Sequence, residues 1–184
     1  MARVLLLCTA NQCRSPMGEA ILRARCPSLD VRSAGRLPGG VPASATAVEV
    51  LADRGLDLSG HVSQTVTPAL LADADLVLGM AREHVRDAVL MLPEVRPRAF
   101  ALKDLVRRAE SVGPRGPGQP LGEWLAAVGR GRTTADLLGF SKLDDVADPI
   151  GRPAGRYRAC ADELDDLLGR LAALALPDPP APVA

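Results

Sequence analysis

Near the amino terminus, the run Cys8-Thr9-Ala10-Asn11-Gln12-Cys13-Arg14-Ser15 sets a thiol and a guanidinium at two ends of a short polar stretch, with five residues between them. Backbone N–H groups in a loop of this length can curl into a nest that binds an anion. Ser15-Pro16 reads as a helix start, because serine caps free N–H groups and proline at the first helical position gives none up. The positive end of that helix strengthens the same field. Arg14 can hold two phosphate oxygens through its planar fork, which lysine cannot do. A free cysteine titrates near ~8.5, and thiols beside cations and helix starts fall well below that. Cys8 is therefore expected to be a thiolate at neutral pH and a nucleophile toward phosphorus. Ser15 is placed to donate a hydrogen bond to the sulfur and help it leave later. The predicted phosphate ligands are Thr9, Ala10, Asn11, Gln12, Cys13, Arg14 and Ser15.

The spacing alone is a weak signal; its setting gives it weight. Arg3 to Cys8 reads as a buried strand, an apolar run ending at the loop. The helix after Ser15 continues through Ile21, Leu22 and Ala24 until Pro27 stops it. Further strands are expected at Asp30–Ala34, Asp75–Met80 and Ala99–Leu102. Helices are expected after a Ser44 cap, over Arg82–Leu92, and over Ala154–Leu174. Strands alternating with helices predict a single-domain, doubly wound (flavodoxin-like) α/β fold: four parallel strands with helices on both faces. Ligands of such sheets sit beyond the carboxyl ends of the strands, where the Cys8 loop lies. Residues 1–176 are expected to form one domain, with a glycine- and proline-rich surface insertion at about 113–142 and a flexible proline-rich tail at 177–184.

Composition narrows the classes. The 184 residues carry 22 basic and 22 acidic side chains, so the basic excess of a nucleic-acid binder is missing. The apolar run at Val4–Leu7 is too short for a signal-peptide core or a membrane span, which predicts a cytoplasmic protein without membrane insertion. Four cysteines, Cys8, Cys13, Cys26 and Cys160, then read as free thiols. With only two histidines, His61 and His84, and no paired cysteine clips, no metal site is expected. Cys26 and Cys160 read as small buried hydrophobes. No organic cofactor is implied, because the nest, Arg14 and a thiolate supply what phosphoryl transfer needs. The sequence carries no signal for an oligomeric state.

The stretch from Val4 through Cys8, Arg14 and Pro16 to Met17 resembles the signature loop of the low-molecular-weight protein-tyrosine-phosphatases. That resemblance implies a phosphomonoester hydrolase working through a cysteinyl-phosphate intermediate on phosphorylated protein substrates. It also implies a general acid in an Asp-Pro pair near the carboxyl terminus, here Asp148-Pro149. Asp-Pro alone is a common turn pair; at this position relative to the Cys8 loop it reads as catalytic, protonating the leaving oxygen and then activating water. Cys8, Arg14 and Asp148 are the expected catalytic set. By the same resemblance Asn11, Ser33 and His61, with Ser15, form a supporting network, Asn11 being apt for the left-handed backbone of a tight loop. For His61 an ordinary structural role reads equally well. Cys13 matches a family cysteine that forms a disulfide with the nucleophile under oxidation and shields it; a plain packing role fits it as well.

The resemblance runs from the first strand to the last helix and is weakest across 113–142. It also has departures. Family members that prefer phosphotyrosine flank the pocket with aromatic rings. Here Ile150 follows Asp148-Pro149, the Gly35–Ala43 loop has no aromatic residue, and Gln12 occupies a position that helps set substrate choice. Two rival activities belong to the same superfamily, protein-arginine phosphatase and thioredoxin-coupled arsenate reductase. A third, from a different class, is a non-catalytic phosphate-binding regulatory module. Cys160 without a nearby partner in sequence disfavours the reductase, and the joint presence of Cys8, Arg14 and Asp148 disfavours the module.

Overall fold

The computed structural model describes residues 2–176; the tail expected at 177–184 lies outside the described residues. Four strands, β1 (Arg3–Cys8), β2 (Asp30–Gly35), β3 (Leu76–Gly79) and β4 (Ala99–Ala101), form one parallel sheet in the order β2-β1-β3-β4. Its helices are α1 (Arg14–Arg25), α2 (Ala45–Ala52), α3 (Pro68–Asp73), α4 (Arg82–Met91), α5 (Leu102–Val112), α6 (Leu121–Val128) and α7 (Ala154–Ala175). The α/β class and parallel sheet expected from the alternation are those the chain adopts.

Strand β1 is buried along almost its whole length, and its alternate side chains feed two cores. Val4, Leu6 and Cys8 point to the side covered by α1, α2, α5, α6 and α7, where Met17, Leu51, Leu105, Trp124 and Leu168 pack. Leu5 and Leu7 point to the opposite core with Leu71 of α3 and Val85 of α4. The period of two therefore delivers the Cys8 sulfur to the α1–α7 side. Gly18 lets α1 approach the sheet closely, since a Cβ there would lie 2.8 Å from Leu6 Cδ2.

Ser44 caps α2 as expected, accepting from Ala47 N. Ser15 does not cap α1: the helix begins two residues earlier than expected, at Arg14 after Cys13, and no side chain caps it. Helix α3 is not foreshadowed by a long apolar period; Thr67 caps it through Leu70 N, and its six residues bury only Leu71.

The 113–142 segment, expected at the surface, also reaches the interior. Its α6 spaces Leu121, Trp124, Leu125 and Val128 on one face, and the last three are buried in the α1–α7 core. Trp124 is 1 % exposed and donates from Nε1 to Gly113 O at 3.0 Å. Leu138, Phe140 and Leu143 remain on the outside. Removing the indole should open a cavity, so Trp124→Ala should cost about 3–5 kcal/mol in urea unfolding. A loss below about 1 kcal/mol would mean that α6 is not part of the core.

Candidate active site

At the carboxyl end of β1 the chain turns through residues 9–13 before entering α1. Asn11, at φ +54°, is the one non-glycine residue with positive φ among the described residues. Its side chain holds that turn on three sides: Nδ2 donates to Ser15 Oγ (3.0 Å) and Ser33 Oγ (2.7 Å), and Oδ1 accepts from Gln64 N (2.9 Å). His61 Nε2 donates to Asn11 O at 2.8 Å, the carbonyl having only lone pairs to offer. Ser33 passes its own hydroxyl hydrogen to Glu19 Oε2 at 2.5 Å, and Glu19 pairs with Arg23 at 2.7 Å.

The remaining carbonyls of the loop are pulled outward. Arg36 N and Leu37 N donate to Thr9 O at 2.9 and 3.1 Å, and Ser44 N donates to Gln12 O at 2.8 Å. Among the described residues no protein group accepts from Ala10 N, Gln12 N or Cys13 N, which leaves these donors available to an anion nest. Gly35, paired with Cys8 across β1 and β2, makes room for this curl: a Cβ there would sit 2.8 Å from Asn11 N and 2.9 Å from Thr9 O.

Two donors converge on the buried Cys8 sulfur, Asn11 N at 3.2 Å and Ser15 Oγ at 3.0 Å. Ser15 Oγ accepts from the Asn11 amide and gives its hydrogen to the sulfur, the direction a thiolate requires because it can only accept.

Arg14, 5 % exposed, donates from Nη1 to Val146 O at 3.2 Å and from Nη2 to Thr9 Oγ1 at 3.3 Å. Nη2 also meets Asp148 Oδ2 at 2.5 Å, joining residues 134 positions apart. The segment bearing Asp148 is tied to the sheet by Val146 N to Met80 O at 2.8 Å. It is tied to α4 and α5 by Asp144, which pairs with Arg82 at 2.5 Å and Arg107 at 2.9 Å. Burial alone would raise the Asp144 carboxyl, but hydrogen bonds from Arg107 and Arg82 hold it below the usual range. Asp148 Oδ1 accepts from Ile150 N at 3.1 Å, a local turn that fixes the carboxyl.

Cys8, Arg14, Asp148, Asn11, Ser15, Ser33 and His61 thus meet in one place. Cys13 is buried beside them as a free thiol, and burial pushes it well up, reinforced by Cys160. Gln64, Glu19 and His84 also belong to the site and carry no local spacing that marks them. No helix among the described residues is long and apolar enough to cross a membrane.

A family model of low molecular weight phosphotyrosine protein phosphatases matches residues 3–113. The chain belongs to that family. It is 39% identical over 113 residues to the low molecular weight protein-tyrosine-phosphatase Etp of Escherichia coli, covering 60% of this chain and 76% of Etp. It is 31% identical over 172 residues to the protein-arginine-phosphatase of Geobacillus stearothermophilus, covering 92% of this chain and 93% of that one. A low molecular weight protein tyrosine phosphatase from T. tengcongensis superposes with TM-score 0.69 at 35% identity, covering 93% and 97% of the two chains. The family match ends before Asp148, whereas the last two similarities extend over nearly the full chain.

His84, 3 % exposed at the start of α4, contacts Thr9 Oγ1 through Nε2 at 3.1 Å. Burial, with Arg14 and Arg36 nearby, pushes its pKa down to about 3. An unfolded histidine titrates near ~6.5, so between those values only the unfolded chain takes up the proton, and stability falls as pH falls. From pH 7 to pH 5 the wild type should lose about 2 kcal/mol more unfolding free energy than His84→Gln. Parallel pH slopes for the two proteins would contradict this.

Proposed function

We propose that this protein is a phosphatase of the protein-tyrosine-phosphatase type, a phosphomonoester hydrolase acting on phosphorylated proteins through a cysteinyl phosphate. The observation that carries the reading is the convergence of Asn11 N and Ser15 Oγ on the Cys8 sulfur, with the Arg14–Asp148 pair beside it. A simple anion binder needs the nest and the guanidinium; it has no use for a sulfur held by two donors or for a carboxyl at the pocket mouth.

In this mechanism the N–H groups of residues 9–15 and the Arg14 fork take the phosphoryl oxygens and stabilise the charge spread over them in the transition state. The entering dianion competes with Asp148 for Arg14 Nη2 and frees the carboxyl to turn toward the leaving oxygen. Cys8 thiolate attacks phosphorus as the ester P–O bond breaks, and protonated Asp148 gives its proton to the departing oxygen. Asp148, now a carboxylate, takes a proton from water; the hydroxide attacks phosphorus, the S–P bond breaks, and Ser15 steadies the returning thiolate. Asn11, Ser33 and His61 hold the curvature of the loop throughout.

A specific observation also favours the phosphoarginine branch. Phe100, Trp124 and Tyr157 are buried in the core and Phe140 lies on the outside, while the apolar residues bonded directly to the site are Leu37, through Thr9 O, and Ile150, through Asp148 Oδ1. A phosphotyrosine ring would therefore meet aliphatic side chains at those two positions, where an aromatic would stack on it, and the arginine phosphatase likeness spans most of the chain. Thioredoxin-coupled arsenate reduction is less well supported. It requires a further reactive thiolate, whereas burial pushes Cys160 up to about 12 and Cys13 higher still. Residues through 176 act as one domain in this reading, and four free cysteines suit a reducing cytoplasmic compartment.

Cys8→Ser should lower p-nitrophenyl phosphate hydrolysis by on the order of 10⁴-fold or more, while inactivity of the pure wild type would leave only the binding module. Asp148→Asn should slow alkyl phosphates by about 10²–10⁴-fold and the good leaving group much less; equal effects on both would remove Asp148 from the acid role. Phosphotyrosine and phosphoarginine peptides compared at equal concentration decide the branch by their kcat/KM.

A further inference from the structure

His84 and Thr9 form a contact that the mechanism above does not use. The imidazole is buried, its Nε2 lies 3.1 Å from Thr9 Oγ1, and no group among the described residues pairs with Nδ1. This fixes where the proton sits. A proton on Nδ1 would bury an N–H without an acceptor, whereas a bare Nδ1 leaves only a lone pair unmatched, the milder defect. Glu83 Oε1, 3.6 Å from Nε2, favours a proton on that nitrogen as well. A second proton is disfavoured in this buried position beside Arg14 and Arg36. His84 is then a neutral ring donating from Nε2 to Thr9.

Thr9 Oγ1 also accepts from Arg14 Nη2 at 3.3 Å. A hydroxyl oxygen has two lone pairs and one hydrogen. With both lone pairs taken by donors, the hydrogen must point away from both. Thr9 follows Cys8 directly and shares the Arg14 nitrogen that would grip a phosphoryl group.

We infer that His84 is a positioning residue that turns the Thr9 hydroxyl into a donor aimed at the transferring phosphoryl group. The inference rests on the phosphatase reading for its chemistry. Thr9 adds a side-chain hydrogen bond to the main-chain nest, and His84 acts only through it. The contrary arrangement, with Thr9 donating to an unprotonated Nε2, would make the pair a structural tie with no hydrogen left for the substrate.

The test compares wild type, Thr9→Val, Thr9→Ser, His84→Phe, His84→Gln and the Thr9→Val/His84→Phe double variant. Turnover of p-nitrophenyl phosphate and the affinity for vanadate are read for each, alongside thermal unfolding. A hydrogen bond to a charged group corresponds to a fall of about 10–100-fold. Thr9→Val should lose that factor in kcat and in vanadate affinity with little change in KM, and Thr9→Ser should restore the larger part. His84→Phe should fall similarly, and His84→Gln, which keeps a donor, should recover some of it. The double variant should be no worse than Thr9→Val alone. Multiplying losses in the double variant, or an unchanged vanadate affinity in Thr9→Val, would overturn the inference. If His84→Phe does not fold, His84→Gln and the Thr9→Val/His84→Gln double variant take its place, and losses that multiply in that double variant would overturn the inference. Vanadate affinity reads the contact without turnover, so failure here is distinct from failure of the phosphatase reading.

Discussion

The left-handed turn at Asn11 is the constraint on which the rest of the structure depends. An L-residue enters that region at a cost, and only a short polar side chain that bonds locally offsets it readily. Here every hydrogen-bonding group of the Asn11 amide is used, by Ser15, Ser33 and the main chain of Gln64. Because the turn is held, Asn11 N points back at the Cys8 sulfur and Ser15 is left with a hydrogen to give the same atom. Loop curvature, sulfur environment and anion nest are therefore one feature.

The second half of the site arrives from far along the chain. Arg14 touches Val146 O and Asp148, and the segment carrying both is pinned at Met80, directly after β3, and to α4 and α5 through Asp144. Three ion-paired and hydrogen-bonded anchors on regular elements hold Asp148 at hydrogen-bond distance from a guanidinium fixed at the start of α1. The sheet supplies the rigidity, and the loops beyond its carboxyl edge supply the chemistry.

What the sequence disclosed was whatever depends on neighbours in the chain. The apolar run before Cys8, the five-residue gap to Arg14 and the Ser44 cap are local patterns whose physics can be read directly. Ser15 was legible as a donor to the sulfur, since both lie in one short loop, whereas its expected role as helix cap fails because α1 already begins at Arg14. Gln64, Glu19 and His84 enter the site through contacts 14 to 75 positions away in sequence, and no periodicity marks such residues. The helical period of Leu121, Trp124, Leu125 and Val128 makes α6 legible as a short helix, and the glycines and prolines that flank it hid only that this face joins the core.

The central claim is that the sulfur of Cys8 becomes covalently bonded to phosphorus during turnover. Rapid-quench mass spectrometry of the wild type within a single turnover of p-nitrophenyl phosphate tests this directly. The account predicts a phosphate adduct on the peptide containing Cys8, appearing with the nitrophenol burst and decaying as inorganic phosphate is released. A burst of product with no adduct, or with the adduct on any other residue, would contradict it.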